Sequence, residues 1–195
     1  MLKYMHLFLL ILFVFLPIKL NAADCVKPNM PTMDEWNKWL EGVKIEALSL
    51  NISKKTLDAE LDNTFPQKKI IMRDRCQPES TITLDEYIYY RVDKARIIAG
   101  KNMLKNFEKE LNEIGAYFKI QPRFIVAILG MESYFGRNQG KIRTIDAVAT
   151  LAFDRRRSSF YRKQLFATLQ MIDDNIILSN NLKGSWGGAL GMTQM

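Results

Sequence analysis

From residue 33 onward the apolar positions recur at spacings of three and four, a pattern that predicts helices rather than strands. "DEWNKWLEGVKIEALSL" sets Trp36, Leu40, Val43, Ala47 and Leu48 on one stripe, which Asn51 interrupts. Ser53 is then the expected N-cap of "ISKKTLDAEL", carrying helix to about residue 61. The stretch from Thr64 to Thr83 holds Pro66, Pro78 and a Ser/Thr cluster without a sustained period. It predicts an extended connector with at most one short strand or turn. A long amphipathic helix is expected from Asp85 to Ile114, with Gly115 as its C-cap. The next begins at Pro122, runs to about Phe135 and stops at Gly136. Helices over Thr144–Leu151 and Ser158–Ile177 complete the pattern. No internal repeat and no convincing period-2 segment is present, so the expected fold class is mainly α.

The first residues follow different rules. "MLKYMHLFLLILFVFLPIKLNA" has Lys3 near its start, an apolar run from Leu7 to Leu16 and small residues at Ala22 and Ala23. That is the layout of a secretory signal peptide. A retained membrane anchor is the alternative, for which the apolar run is short. Asp24 directly before Cys25 argues against lipoprotein processing. The expected organisation is a signal peptide over 1–22, an N-terminal helical region over 23–113 and a second region over 114–195, in an exported chain. Losing Lys3 and Lys19 lowers 28 basic residues to 26 against 21 acidic ones, a charge of +5. This mild excess suits a polyanionic matrix or a membrane surface, although ordinary domains share it. In an oxidising compartment Cys25 and Cys76 are expected to pair, with two free thiols as the alternative.

One absence narrows the chemistry further. The only histidine, His6, lies in the leader, so the remaining chain has no imidazole base or histidine metal ligand. Ser-His-Asp hydrolysis, Cys-His proteolysis and HExxH zinc chemistry are excluded. Proton transfers would fall to carboxylates, lysine, tyrosine or water.

Against that background "AILGMESYFG", Ala127 to Gly136, places one acid in an apolar run. On a helix from Pro122, the residues Ile125, Ile128 and Leu129 share the face of Glu132. Desolvation and a position in the last helical turn are both expected to disfavour the ionised form and raise the pKa. A carboxylic acid held protonated is what glycosidic cleavage needs, because the leaving oxygen must receive a proton. A half-exposed structural glutamate has the same spacing. "GSWGGALG" invites comparison with a phosphate loop, but it follows a helix and lacks Gly-Lys-Ser/Thr.

"MESYFGRNQGKIRTIDAVATLAF" closely resembles the lytic murein transglycosylase B family, whose catalytic domain is lysozyme-like. The family's acid-aromatic-glycine helix end, Gly-Lys pair and D-A-x-A-T-L-x-F run stand here as Glu132, Phe135, Gly136, Gly140, Lys141, Asp146, Ala147, Ala149, Thr150, Leu151 and Phe153. "EWNKWLEGVKIEAL", "RDRCQPE" and "LKGSWGGALGMTQM" are similar to further family segments, from about residue 34 to the last. The resemblance implies cleavage of the β-1,4 bond between N-acetylmuramic acid and N-acetylglucosamine in peptidoglycan. The muramic acid's own 6-hydroxyl attacks, leaving a 1,6-anhydro end. Glu132 would act as general acid and then base, with no second enzyme carboxylate required. Ser185 and Gln194 match positions beside the bound acetamido sugar. Tyr87 and Phe160 are candidate platforms for sugar faces, with core packing as the alternative for each. Asp146 suits a cap or a structural hydrogen bond. Arg155 to Arg157 read as a solvated turn, or as a clamp for stem-peptide carboxylates.

Family members continue beyond the position of Met195, so the resemblance implies a catalytic lobe incomplete at its C-terminus. The implied partner is the peptidoglycan glycan strand, met in the periplasm by a monomer peripherally associated with the wall or membrane. Nucleic acid is not implied. No cofactor is implied, and no metal is expected, since no Asp-x-Asp-x-Asp run is present. A muramidase that admits water and a glycan-binding remnant without catalysis are the competing readings.

Overall fold

The computed structural model describes residues 28–77 and 82–195, so the leader and Cys25 lie outside the described residues. Cys76 is disulfide-bonded. Among the described residues no helix is long and apolar enough to cross a membrane.

Helix α1 (Met33–Ser49) starts at a capping box, in which Thr32 and Glu35 satisfy each other's backbone N–H groups. It buries Trp36, Leu40, Val43 and Ala47, whereas Leu48 stays half-exposed. Asn51 turns the chain in the left-handed conformation (φ 65°), and Ser53 caps α2 (Lys54–Leu61) as expected. The expected connector is partly wrong: Lys68–Arg75 forms a helix, α3. Its eight residues are too few to show a period, yet Ile70, Ile71 and Asp74 are buried.

The single long helix expected over 85–114 is also corrected. It is three helices: α4 (Leu84–Arg91), α5 (Lys94–Asn106) and α6 (Glu108–Phe118). Asp93 makes the first break, because its carboxylate accepts the Arg96 N–H (2.8 Å) and starts a new helix. Phe107 makes the second. Gly115 is not a cap. It is buried inside α6, where a Cβ would lie 2.6 Å from the carbonyl of Ile120 on the returning chain. Lys119, in the left-handed conformation, ends that helix.

The remaining elements are α7 (Pro122–Ser133), β1 (Ile142–Arg143), α8 (Thr144–Phe153), α9 (Ser158–Asp173), a 3-10 turn (Ser179–Asn181) and β2 (Lys183–Gly184). β1 and β2 pair antiparallel, with Ile142 opposite Gly184. Helix α8 is the centre: Thr144, Ile145 and every residue from Ala147 to Ala152 are buried. A helix apolar on all sides has to be wrapped by others. The α1, α2, α3 and α9 helices do so, which means that 23–113 and 114–195 contribute to one core. Trp36, Trp39 and Phe153 form a ring cluster with centroids 5.0–5.4 Å apart, and the Trp36 indole N–H donates to the Thr64 carbonyl at 3.0 Å. Helices α5, α6 and α7 pack on one another.

Polar contacts fasten the wrap. Asp74 is buried, and its carboxylate is held by Arg156 (2.7 Å) and Arg157, while Arg75 pairs with Asp154 (2.7 Å). The run Arg155–Arg157 is therefore not simply a solvated turn, since two of its arginines tie α3 to the start of α9. Across the molecule Asp173 accepts hydrogen bonds from Ser53 (Oγ and backbone N–H) and from Thr56 Oγ1, which hold its carboxyl below the usual range.

Replacing Asp74 by Ala removes a buried acceptor for two half-exposed guanidinium groups. It is expected to cost about 2–3 kcal/mol, read as a lower denaturant midpoint at unchanged slope. For Asp173, a lowered pKa means stability that is present above the ordinary carboxylate range and lost as pH falls through the folded-state value. The Asp173→Asn variant should melt below wild type at pH 7, and the gap should close on acidification. A gap that persisted in strong acid would count against this linkage.

Candidate active site

Pro122 opens α7 at a position where its missing N–H costs nothing. The helix then divides its apolar residues between two sides. Val126, Gly130 and Ser133 are buried toward α5, whereas Ile125, Ile128 and Leu129 surround Glu132 on the other side. That second side is only partly covered: Ile128 is 47% exposed and Glu132 is exposed. The desolvated setting expected for Glu132 is thus not supplied by the described residues. Its carboxylate holds no hydrogen bond or ion pair among them.

The exit from α7 is unusual. The helix ends at Ser133, two residues before the expected Phe135, and Tyr134 (φ 51°), Phe135 (φ 59°) and Gly136 (φ 83°) turn left-handed in succession. Each non-glycine residue there costs roughly 1–2 kcal/mol. Three contacts hold them in place. The Tyr134 and Phe135 N–H groups both donate to the Leu129 carbonyl. Ser133 Oγ accepts the Gly136 N–H at 2.9 Å. The Phe135 ring lies against Gly130, where a Cβ would stand 2.7 Å from it.

The glycine segment closes over this exit. A Cβ on Gly140 (φ 88°) would lie 2.0 Å from the Gly184 carbonyl, so the approach to β2 admits only hydrogen there. Ser185 follows, in a tight turn where its N–H donates to Ala189 O (2.9 Å) and its carbonyl accepts from Gly188 (3.1 Å). Its hydroxyl is part-buried and holds no hydrogen bond to another described residue. Met192 rests on Gly136. Gln194 donates through Nε2 to Gln139 O (3.2 Å) and Gly191 O (2.7 Å), which leaves its Oε1 as the free polar atom. The exit loop of Glu132 and the segment carrying Ser185 and Gln194 are thereby joined, although more than fifty positions separate Glu132 from Ser185.

Arg143 anchors the hairpin from below. Its guanidinium donates to the buried Glu60 carboxylate, to the Glu60 carbonyl (3.0 Å) and to Asp146 (3.0 Å), and Ser179 also donates to Glu60 (2.8 Å). Burial pushes the Asp146 carboxyl up, against the pull of Arg143. Asp146 is a structural partner, as expected. Sequence spacing did not reveal Glu60, which lies 83 residues from Arg143.

The two aromatic candidates sit elsewhere. Tyr87 lines a recess with Ile82, Thr83 and Leu84 at the start of α4, with the Arg91 guanidinium 5.6 Å from its ring. Phe160 is 54% exposed on α9; its neighbour Tyr161 is the buried one, which corrects the core-packing alternative for Phe160.

Comparison with known proteins places this geometry. The family model described as "Transglycosylase SLT domain" matches residues 35–195. The chain belongs to the transglycosylase SLT domain family. Membrane-bound lytic murein transglycosylase B of Escherichia coli K12 is 39% identical over 89 residues, covering 45% of this chain and 25% of that protein. SltB3 of Pseudomonas aeruginosa, solved with NAG-anhNAM-pentapeptide, matches with a TM-score of 0.72 and 31% identity over 82% of this chain and 43% of its own. SLT35 of Escherichia coli, solved with bulgecin A, gives 0.68 and 25%, over 86% and 52%. The chain thus spans about half the length of these solved relatives and a quarter of the curated one. The mainly helical fold expected from the pattern, with the lysozyme-like form that the family resemblance implied, is the fold of this family.

Gly140→Ala combines a strained φ with the 2.0 Å approach to Gly184, and is expected to cost about 2–3 kcal/mol. Thermal melting together with loss of amide protection at Gly184 and Ser185 would show the hairpin coming apart.

Proposed function

We propose that this SLT-family domain cleaves the N-acetylmuramic acid–N-acetylglucosamine β-1,4 bond of peptidoglycan by lytic transglycosylation, in the periplasm and as a monomer. The observation that carries the reading is Glu132. It stands at the end of α7 without a protein partner, held by a strained exit onto which the Ser185–Gln194 segment is closed. A carboxyl so placed donates its proton to the leaving glycosidic oxygen as the C1–O bond breaks. The muramic acid 6-hydroxyl then bonds to C1, and the Glu132 carboxylate takes the hydroxyl proton, returning to its starting form. No water enters the products. Ser185 Oγ and Gln194 Oε1, both unspent on the described protein, suit the carbonyl and N–H of an acetamido group. Tyr87 and Phe160 remain candidates for sugar stacking from the outer helices.

A second reading, glycan binding without turnover, is favoured by one observation: the described residues leave Glu132 exposed. The two separate cleanly. Purified protein incubated with sacculi should release 1,6-anhydro-muropeptides, identified by mass, and Glu132→Gln should lower that rate by at least about a hundredfold while sacculus binding is retained. Reducing-end products would mean a hydrolase, and binding without products would favour the second reading. Equal activity in the Glu132→Gln variant would sink the assignment of Glu132.

A further inference from the structure

Tyr161 is a buried polar side chain that neither the core nor the chemistry above uses in full. It is 5% exposed, packed in the core cluster, with the Arg157 guanidinium 5.0 Å from its ring and that guanidinium held by Asp74. Burial pushes its phenol up, which keeps the hydroxyl protonated and neutral at neutral pH. The hydroxyl holds no hydrogen bond among the described residues. Nor is it sealed in: the buried side-chain atoms without a partner there are Arg96 Nε, Thr144 Oγ1, Asp154 Oδ2 and Arg157 Nε. The small exposed part of Tyr161 therefore includes its oxygen, and a tyrosine buried up to its hydroxyl is placed to meet a polar group.

What it faces is the turn that carries Ser185. A Cβ on Gly187 would come within 4 Å of only two described atoms beyond its chain neighbours, Tyr161 Oη at 3.6 Å and Ser185 Oγ at 3.9 Å. Gly187 thus leaves a notch, the size of one small group, bordered by two unpaired hydroxyls. The turn is braced around it. The Ser185 N–H and carbonyl are spent on Ala189 and Gly188, and Gly188 rests against Val148 and Thr144 of α8. Two neutral hydroxyl donors beside one small opening suit an uncharged acceptor with two lone pairs, which is the chemistry of a carbonyl oxygen. A carboxylate is better met by a guanidinium, and Arg157 is already engaged.

We infer that Tyr161 is a specificity-determining residue of this site: its hydroxyl and that of Ser185 together receive the carbonyl oxygen of a substrate acetamido group, which enters the notch left by Gly187. The inference deepens the peptidoglycan reading above and rests on it. It makes the domain selective for N-acetylated glycan, because a deacetylated sugar leaves both hydroxyls unmatched.

The test titrates the GlcNAc–MurNAc disaccharide and its N-deacetylated form calorimetrically against the intact protein. Wild type is expected to prefer the N-acetylated form by about tenfold or more. Tyr161→Phe keeps the ring and removes only the oxygen; it should weaken the N-acetylated form about three- to tenfold and leave the deacetylated form as in wild type. Gly187→Ala, at a backbone position outside the left-handed region, fills the notch and should erase most of the preference without lowering the melting temperature. Wild-type binding that both variants match would overturn the notch and leave the glycan reading standing. Equal losses for the two ligands would put Tyr161 on a sugar hydroxyl and overturn the acetamido assignment. Wild type that binds neither disaccharide would overturn the glycan reading and the notch with it.

Discussion

Burial of helix Thr144–Phe153 on every side is the constraint on which the rest of this molecule depends. With eight of its ten residues inaccessible, it cannot stand at a surface, and each large side chain hidden there contributes roughly 1.5–3 kcal/mol. The wrapping helices come from both ends of the chain. The Trp36–Trp39–Phe153 cluster joins α1 to the end of α8, and Gln67 donates to Thr150 Oγ1 at 3.2 Å just before α3. Because the first turn of α8 continues directly from β1, the same packing that satisfies the core also fixes the hairpin, and the hairpin fixes the segment carrying Ser185.

Stability and function meet in the exit from α7. Two non-glycine residues in left-handed conformation are a standing cost, offset by Ser133, by the ring of Phe135 on Gly130 and by Met192 over Gly136. The strain has a geometric product. It turns the chain sharply just after Glu132, so that the acid faces outward in the last turn of its helix while Ser133 is buried and Tyr134 to Gly136 are half-buried. Glycine at 140 then lets the two backbones touch, and glycine at 184 lets the turn behind Ser185 fold back onto Ala189.

Much of this was legible in the chain. Helical periodicity located the buried stripe Trp36–Leu40–Val43–Ala47, and Ser53 was readable as a cap because Ser, Thr, Asp and Asn satisfy orphan N–H groups locally. The acid at 132 stood out because it interrupts an apolar run. The breaks at Asp93 and Phe107 were hidden, since amphipathic spacing continues across both and only the local competition of Asp93 for a backbone N–H interrupts it. Gly115 misled for a related reason: glycine marks both helix ends and close approaches, and here Ile120 comes too near for any side chain. The arginine run was misread because its partner, Asp74, lies about eighty residues away.

By itself, then, the sequence determined the helical class and the first caps, and it singled out the acid at 132. These follow from spacing and side-chain chemistry, which act within a few residues. The tertiary structure alone decided which apolar faces are covered, that Glu132 is exposed and unpartnered among the described residues, that Gln194 spends its N–H groups on Gln139 and Gly191, and which arginines hold a carboxylate. Periodicity records that a face is apolar but not what lies against it. Charge records that a guanidinium needs a partner but not which carboxylate folds back to meet it.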